Sequence, residues 1–309
     1  MIKMDKATRE NLEKTVVYIN GEYFSGIDAK ISIFDLGFSR GYNVFDALSL
    51  WNGFIRKLDS HVRRFYESMH TVDLEISLSK EEFKEVIFET VRRSKLKEGE
   101  IFATSTYGMF ELRIGEPASP ERESTLIVDC RPYAWIGGQE AQKVGAKARI
   151  AKIKDYPIQC IEGRIKNNNR LNYYLAYMEL RGTGATTPLM TDMDGYVGQS
   201  TGANLWAVKD GKLFTPKGNI LYGITRETVL DIAKLEKIEA IETRLTPSQI
   251  YNADEAFLSS SSGGLIPIIE VDRRRIGDGK PGPITRRLTD TYWKMHVDPK
   301  YATKVPGLE

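Results

Sequence analysis

Asn-Gly and Asp-Gly dipeptides constrain this chain more than any other feature. Asn20-Gly21 ends the apolar run Val16-Val17-Tyr18-Ile19, and Asn52-Gly53 ends another at residues 47–51. Asp194-Gly195 and Asp210-Gly211 repeat the signal in the second half. A tight hairpin turn needs backbone with positive φ, and asparagine, aspartate and glycine reach it at least steric cost. The chain is therefore expected to build hairpins in both halves.

Between the hairpin signals the apolar period changes from two to 3.6. From Asp59, residues Val62, Phe65, Tyr66 and Met69 fall at i, i+3, i+4 and i+7, the face of a helix. Ser79 and Glu82 form a capping box, and Phe83, Val86, Ile87 and Val91 line one face behind it. Strands are expected at residues 101–107 and 125–130. The loop with Pro132, Gly137 and Gly138 is the candidate domain boundary. The second half reads as a strand at 146–153, a helix at about 171–180, a second helix at 225–237, a strand at 256–259 and a last helix at about 285–295. The expected division is a small α/β domain over residues 1–133, an interdomain loop over 134–140 and a larger domain over 141–309. The fold class is α+β, a mixture in two halves.

A chain of 309 residues, 41% hydrophobic, is long enough for two such cores. Its net charge of +2 gives no nucleic-acid footprint. The two cysteines, Cys130 and Cys160, form no disulfide framework, and the three histidines are too dispersed to make a zinc signature with them; no metal is expected. Gly182-Thr183-Gly184 lacks the third glycine of a dinucleotide fingerprint. The N-terminus is charged and polar, and no run of 18 apolar residues exists, so the expectation is a cytoplasmic protein away from membranes.

Chemistry enters through the order of several blocks. These are Ile165-Lys166-Asn167, residues 196–205, Leu221-Tyr222-Gly223-Ile224-Thr225-Arg226, and Asp254-Glu255-Ala256-Phe257 followed by a serine run and Pro267. With them the chain resembles the fold-type IV pyridoxal 5'-phosphate enzymes over nearly its full length. That group includes branched-chain aminotransferases, D-amino-acid transaminases, aminodeoxychorismate lyases and (R)-selective amine transaminases. The tail from Pro283-Ile284-Thr285 to Tyr292-Trp293-Lys294-Met295-His296 looks closest to the last branch, as do Trp51-Asn52-Gly53 and Asp59-Ser60-His61.

The resemblance implies a two-domain fold whose larger domain is a pseudo-barrel of mixed strands, a homodimer, and ping-pong transfer of an amino group from an amine or amino acid to a keto acid. Lys166 matches the lysine that holds the cofactor as a Schiff base and shuttles the proton. A lysine suits both tasks because partial desolvation beside other cations lowers its pKa. Ile224 and Thr225, at a helix start, match the phosphate's backbone donors, where free N–H groups and the helix dipole favour an anion. Arg64, in the spacing His61-x-x-Arg64, matches the phosphate arginine, whose planar fork gives directed bonds. Ser261 stands where relatives carry a phosphate-binding hydroxyl, and Ser262 is a neighbour able to contribute.

Two features depart from the pattern. The block that places a glutamate against the pyridine nitrogen reads Tyr196-Val197-Gly198-Gln199-Ser200 here. A glutamate keeps that nitrogen protonated by charge, whereas a glutamine amide carries no charge. Gln199 therefore points either to slow transamination or to lyase, racemase or other chemistry of the same fold, and replacing it with glutamate is expected to speed reaction with an amine donor. The other departure is in the substrate pocket. An expected Thr-Arg-Gly is Thr106-Tyr107-Gly108, so Tyr107 is placed in the pocket with Phe45 as an aromatic wall. Arg40, Arg113 and Arg170 are candidate receivers of an anionic substrate group; the alternative is that Arg40 or Arg170 pairs with an acidic neighbour. A non-catalytic cofactor-binding protein is the remaining reading, against which intact Lys166, Arg64 and Thr225 argue.

Overall fold

The computed structural model describes residues 4–109 and 124–308. The chain divides into two compact units, one of residues 1–133, 166–169 and 296–309, the other of residues 134–165 and 170–295. The sequence pattern puts residues 166–169 and the tail in the second domain. In the structure they cluster with the first, because both add backbone pairing to its sheet.

The first unit opens with α1 (Lys6–Glu13), followed by the hairpin β1 (Val16–Ile19) and β2 (Glu22–Ser25), a short α2 (Leu36–Ser39), β3 (Asn43–Trp51) and β4 (Phe54–Arg56). Helices α3 (Leu58–Thr71) and α4 (Lys80–Ser94) come next, then β5 (Gly99–Thr106) and β6 (Thr125–Pro132). The strands form one antiparallel sheet in the order β4-β3-β5-β6-β1-β2. Central β3 is buried along almost its whole length. Helix α3 lies on β3, and α4 on β6 and β1. The buried residues of α3 include Val62, Phe65 and Met69, three of the four that the 3.6 period selected; Tyr66 is only partly buried. The Ser79–Glu82 capping box of α4 is present with both reciprocal bonds. The rings of Phe65 and Phe83, 5.1 Å apart, join the two helices.

The second unit runs α5 (Ala141–Val144), β7 (Ala146–Lys154), α6 (Leu171–Met178), β8 (Thr187–Thr191), β9 (Val197–Ser200), β10 (Asn204–Lys209), β11 (Lys212–Pro216) and α7 (Ile224–Leu235). It continues through β12 (Ala240–Thr243), α8 (Pro247–Tyr251), β13 (Glu255–Ser260), β14 (Gly264–Val271), β15 (Arg274–Arg275) and α9 (Pro283–Met295). Strands β10-β13-β14-β7-β8-β9 are neighbours in that order, and β9 pairs back onto β10. The result is a closed six-stranded barrel with parallel and antiparallel pairs, the pseudo-barrel that the resemblance implied. Alternate residues fill one shared core, among them Leu205 and Ala207, Ala256 and Leu258, Ile266 and Ile268. Trp206 and Phe257, one residue out of phase, stack at 5.7 Å on the other face, and α7 and α9 pack over β13.

The tail returns to the first unit. Strand β16 (Ala302–Lys304) pairs antiparallel with β4, and buried His296 Nε2 sits 2.7 Å from Ser49 Oγ on β3. Three hairpin dipeptides carry positive φ at both positions: Asn20 and Gly21 (41° and 103°), Asn52 and Gly53 (49° and 75°), Asp210 and Gly211 (50° and 73°). At Asp194-Gly195 only the glycine is left-handed, at 88°.

Candidate active site

Lys166 lies in the first unit because its backbone is stitched to the start of β3. Its carbonyl accepts from Phe45 N at 2.8 Å, and its N–H donates to Ser68 Oγ on α3 at 3.3 Å. Asn167 bridges to Val44. The following asparagines extend the anchor: Asn168 N donates to Asn43 Oδ1 at 3.3 Å, and Asn169 Nδ2 to the Gly41 carbonyl at 3.1 Å. The half-buried lysine then holds Nζ 4.3 Å from the Phe45 ring centroid. This cation–π contact limits where the amine can swing.

Arg64 belongs to a charge cluster that sequence reading captures only in part. Helical spacing puts His61 and Arg64 on one face of α3, and both reach Asp46 of β3. Arg64 Nε and Nη2 each donate to Asp46 at 2.8 Å, and His61 Nδ1 lies 2.7 Å from Asp46 Oδ1. Burial alone would raise the Asp46 carboxyl, but the Arg64 charge and His61 outweigh it and hold it well below the usual carboxylate range. Burial pushes His61 down to about 4, so the imidazole is neutral at neutral pH. Arg64 keeps 14% of its side chain exposed. Its Nη1 has no partner among the described residues and remains available to an anion. No local pattern links Asp46 to Arg64, because strand and helix bring them together.

In the second unit, α7 begins one residue before the predicted start. Gly223 is its N-cap, and no side chain caps it. The turn before it is pinned by buried Asn204, which the sequence does not single out. Asn204 Nδ2 donates to the Leu221 carbonyl at 2.7 Å, and its Oδ1 accepts from Gly223 N at 3.2 Å. A Cβ on Gly223 would stand 2.4 Å from that oxygen, so glycine is required by close approach. Ile224 and Thr225 occupy the first turn, and Thr225 Oγ1 lies 3.5 Å from Ser261 Oγ. Ser261 and Ser262 form the turn between β13 and β14, where the Ser262 N–H donates to Ser260 Oγ.

Gln199, on β9, is 6% exposed and fully engaged on its amide nitrogen. Nε2 donates to Asp155 Oδ2 at 2.6 Å and to Tyr173 OH at 2.9 Å; Oε1 accepts from Leu221 N at 3.2 Å. Asp155, just past β7, carries no signal in the sequence.

The pocket candidates separate. Tyr107 is buried and stacked on Tyr42 at 4.6 Å; Phe45 is buried beside Phe102. Asp35 positions both ends of this region. Its carboxylate accepts from Gly37 N at the start of α2 and from Thr106 and Thr125 at the ends of β5 and β6. Arg40 is the exposed C-cap of α2 and donates to its neighbour's carbonyl at Ser39. Arg170 donates to the Thr201 carbonyl and lies over the Tyr173 ring at 4.9 Å. Arg113 lies outside the described residues.

Each unit by itself carries groups of a kind that suits pyridoxal phosphate: the first an anchored lysine beside an aromatic face and an arginine with one donor edge open, the second a helix N-terminus without a side-chain cap beside two hydroxyls. Comparison with known proteins agrees. The chain matches the family described as Amino-transferase class IV over residues 43–271. The branched-chain-amino-acid aminotransferase of Pseudomonas aeruginosa is 30% identical over 286 residues, 91% of this chain and 92% of that protein. The solved Escherichia coli branched-chain amino acid aminotransferase has a TM-score of 0.89 at 25% identity, covering 94% of this chain and 99% of that one. A further branched-chain amino acid aminotransferase, from T.th. and solved with pyridoxamine 5'-phosphate, has a TM-score of 0.87 at 30% identity, covering 94% and 98%.

Family match, relatives and fold together define an enzyme that transfers amino groups. The chain belongs to the class IV aminotransferases, the fold-type IV group. The relatives are branched-chain enzymes, so the narrower likeness to (R)-selective amine transaminases is not carried by them. Nor do they favour the lyase or racemase alternative that Gln199 suggested.

Proposed function

We propose that this aminotransferase uses pyridoxal phosphate to exchange an amino group between a branched-chain amino acid and a keto acid. The observation behind the residue assignment is Lys166, fixed to β3 by its own backbone and set against Phe45. Bound cofactor supplies the carbonyl carbon that receives nitrogen and the ring that accepts the electron pair from the substrate α-carbon. Lys166 Nζ holds the cofactor between turnovers and, once displaced by the substrate amine, moves the α-proton as a general base. Arg64 Nη1, the Ile224 and Thr225 N–H groups and the Ser261 hydroxyl bind phosphate, with Ser262 beside them. Gln199 meets the ring nitrogen. Phe45 and Tyr107 give an apolar wall suited to an aliphatic side chain, with Arg40, Arg113 and Arg170 as candidate receivers of the substrate carboxylate.

The test is a panel of amino donors and keto acids, read by cofactor absorbance on the wild type and on Lys166→Ala. Branched aliphatic amino acids should convert the wild-type cofactor to its amine form, and a keto acid should restore it faster than an uncharged ketone. The variant should lose the lysine-bound absorption band and turnover together. Turnover retained by Lys166→Ala, or a cofactor unchanged by every amino acid, would overturn the proposal. A homodimer is the expected assembly. Exposed Leu171, Tyr174 and Met178 on α6 support an interface there, and light scattering tests it. No helix among the described residues is long and apolar enough to cross a membrane; the cytoplasm is the proposed location.

A further inference from the structure

Gln199 stands where the family pattern has a carboxylate, yet the structure places a carboxylate directly behind it. Asp155 is half-buried and receives four donors: Gln199 Nε2 at 2.6 Å, Tyr173 OH at 3.4 Å, Asn172 Nδ2 at 3.3 Å and Tyr156 N at 3.0 Å. Four donors are the full complement of an ionised carboxylate, which accepts only. Burial pushes the Asp155 carboxyl up, and these hydrogen bonds oppose it.

The arrangement fixes which end of the Gln199 amide faces outward. Nε2 has both hydrogens committed, to Asp155 and to Tyr173. Oε1 faces the Leu221 N–H. Turning the amide over would set oxygen against carboxylate and N–H against N–H. Gln199 therefore has no hydrogen left to give, and one lone pair on Oε1 left to accept with. A neutral pyridine nitrogen, itself only an acceptor, finds no partner there; a protonated one does.

We propose that Asp155 is the positioning residue of the ring-nitrogen site: it locks the Gln199 amide so that oxygen is presented, and its negative charge, relayed through that amide, keeps the cofactor's ring nitrogen protonated. The pair does with two residues what one glutamate does in the family pattern. This rests on the cofactor reading above. It also reverses the expectation that Gln199→Glu alone speeds the reaction, because the new carboxylate would meet Asp155 at hydrogen-bond distance and like charges would repel.

The experiment loads the full-length wild type, Asp155→Asn, Gln199→Glu and the double variant with pyridoxal phosphate isotope-labelled at the ring nitrogen. Two readouts are taken: cofactor affinity by visible absorbance, and ring protonation by nitrogen NMR. The expected result is a protonated ring in the wild type and an unprotonated one in Asp155→Asn. Gln199→Glu should bind cofactor about tenfold more weakly, and Asp155→Asn in that background should restore both affinity and protonation. An unprotonated ring in the wild type, or a protonated one in Asp155→Asn, overturns the inference. Should Asp155→Asn alone not fold, rescue of Gln199→Glu by the second substitution supports the inference, and equal affinities overturn it. Failure of the wild type to take up cofactor at all sinks the functional reading itself, an outcome separate from the ring's protonation state.

Discussion

Replacing Asp46 with asparagine removes the counter-charge of Arg64 while keeping the shape of the side chain. Asp46 is 2% exposed and Arg64 14%, so neither group is well solvated. Breaking a buried pair from one side costs about 3–5 kcal/mol, mostly because the remaining charge is left uncompensated. Here the lower end applies. The asparagine oxygen still accepts one of the two Arg64 bonds, and Arg64 keeps an exposed edge. The expected loss is therefore about 3 kcal/mol, roughly a hundredfold in the folding equilibrium. Urea unfolding of the apoprotein at neutral pH measures it. A second measurement ties the cluster to the proposed phosphate contact. Inorganic phosphate, taken up at the proposed contact in the folded chain, should stabilise the variant more than the wild type, because the dianion replaces the missing charge at Arg64. A loss below about 1 kcal/mol, the level of an exposed ion pair, would refute the claim that this pair is structurally important. A phosphate response no larger than that of the wild type would refute the link to Arg64.

Two further outcomes follow from named contacts. His61 is held neutral in the fold, its pKa lowered to about 4 from 6.5, so the unfolded chain binds the extra proton first. Stability should fall as pH drops from about 6.5 to about 4, by roughly 3 kcal/mol from this group; a urea midpoint series against His61→Gln should show that slope only in the wild type. Gly223→Ala forces a methyl to 2.4 Å from Asn204 Oδ1 and must displace the amide that pins the turn before α7. The expected loss is about 1–3 kcal/mol, the cost of an unsatisfied buried polar group, with weaker cofactor binding by titration; unchanged affinity would remove that turn from the proposed phosphate site.

Local chemistry makes much of this protein legible in its sequence. Asn20-Gly21, Asn52-Gly53 and Asp210-Gly211 dictate hairpins because few residues accept positive φ. The period of Val62, Phe65 and Met69 and the Ser79–Glu82 box place two helices for equally local reasons. Lys166, Ile224 and Thr225 can be put forward as site residues because the motifs around them are contiguous in the chain. Contacts between distant segments are decided by tertiary structure alone. Residues 166–169 and 296–309 join the first unit through backbone pairing, which has no sequence code. Asp46 meets Arg64 because a helix lies on a strand, and closure of the barrel needs β9 to return to β10. Gln199 shows the division most clearly. Its identity says that charge is missing from one position, and only folding, by bringing Asp155 from 44 residues away, puts a carboxylate beside it and fixes which end of its amide that carboxylate holds.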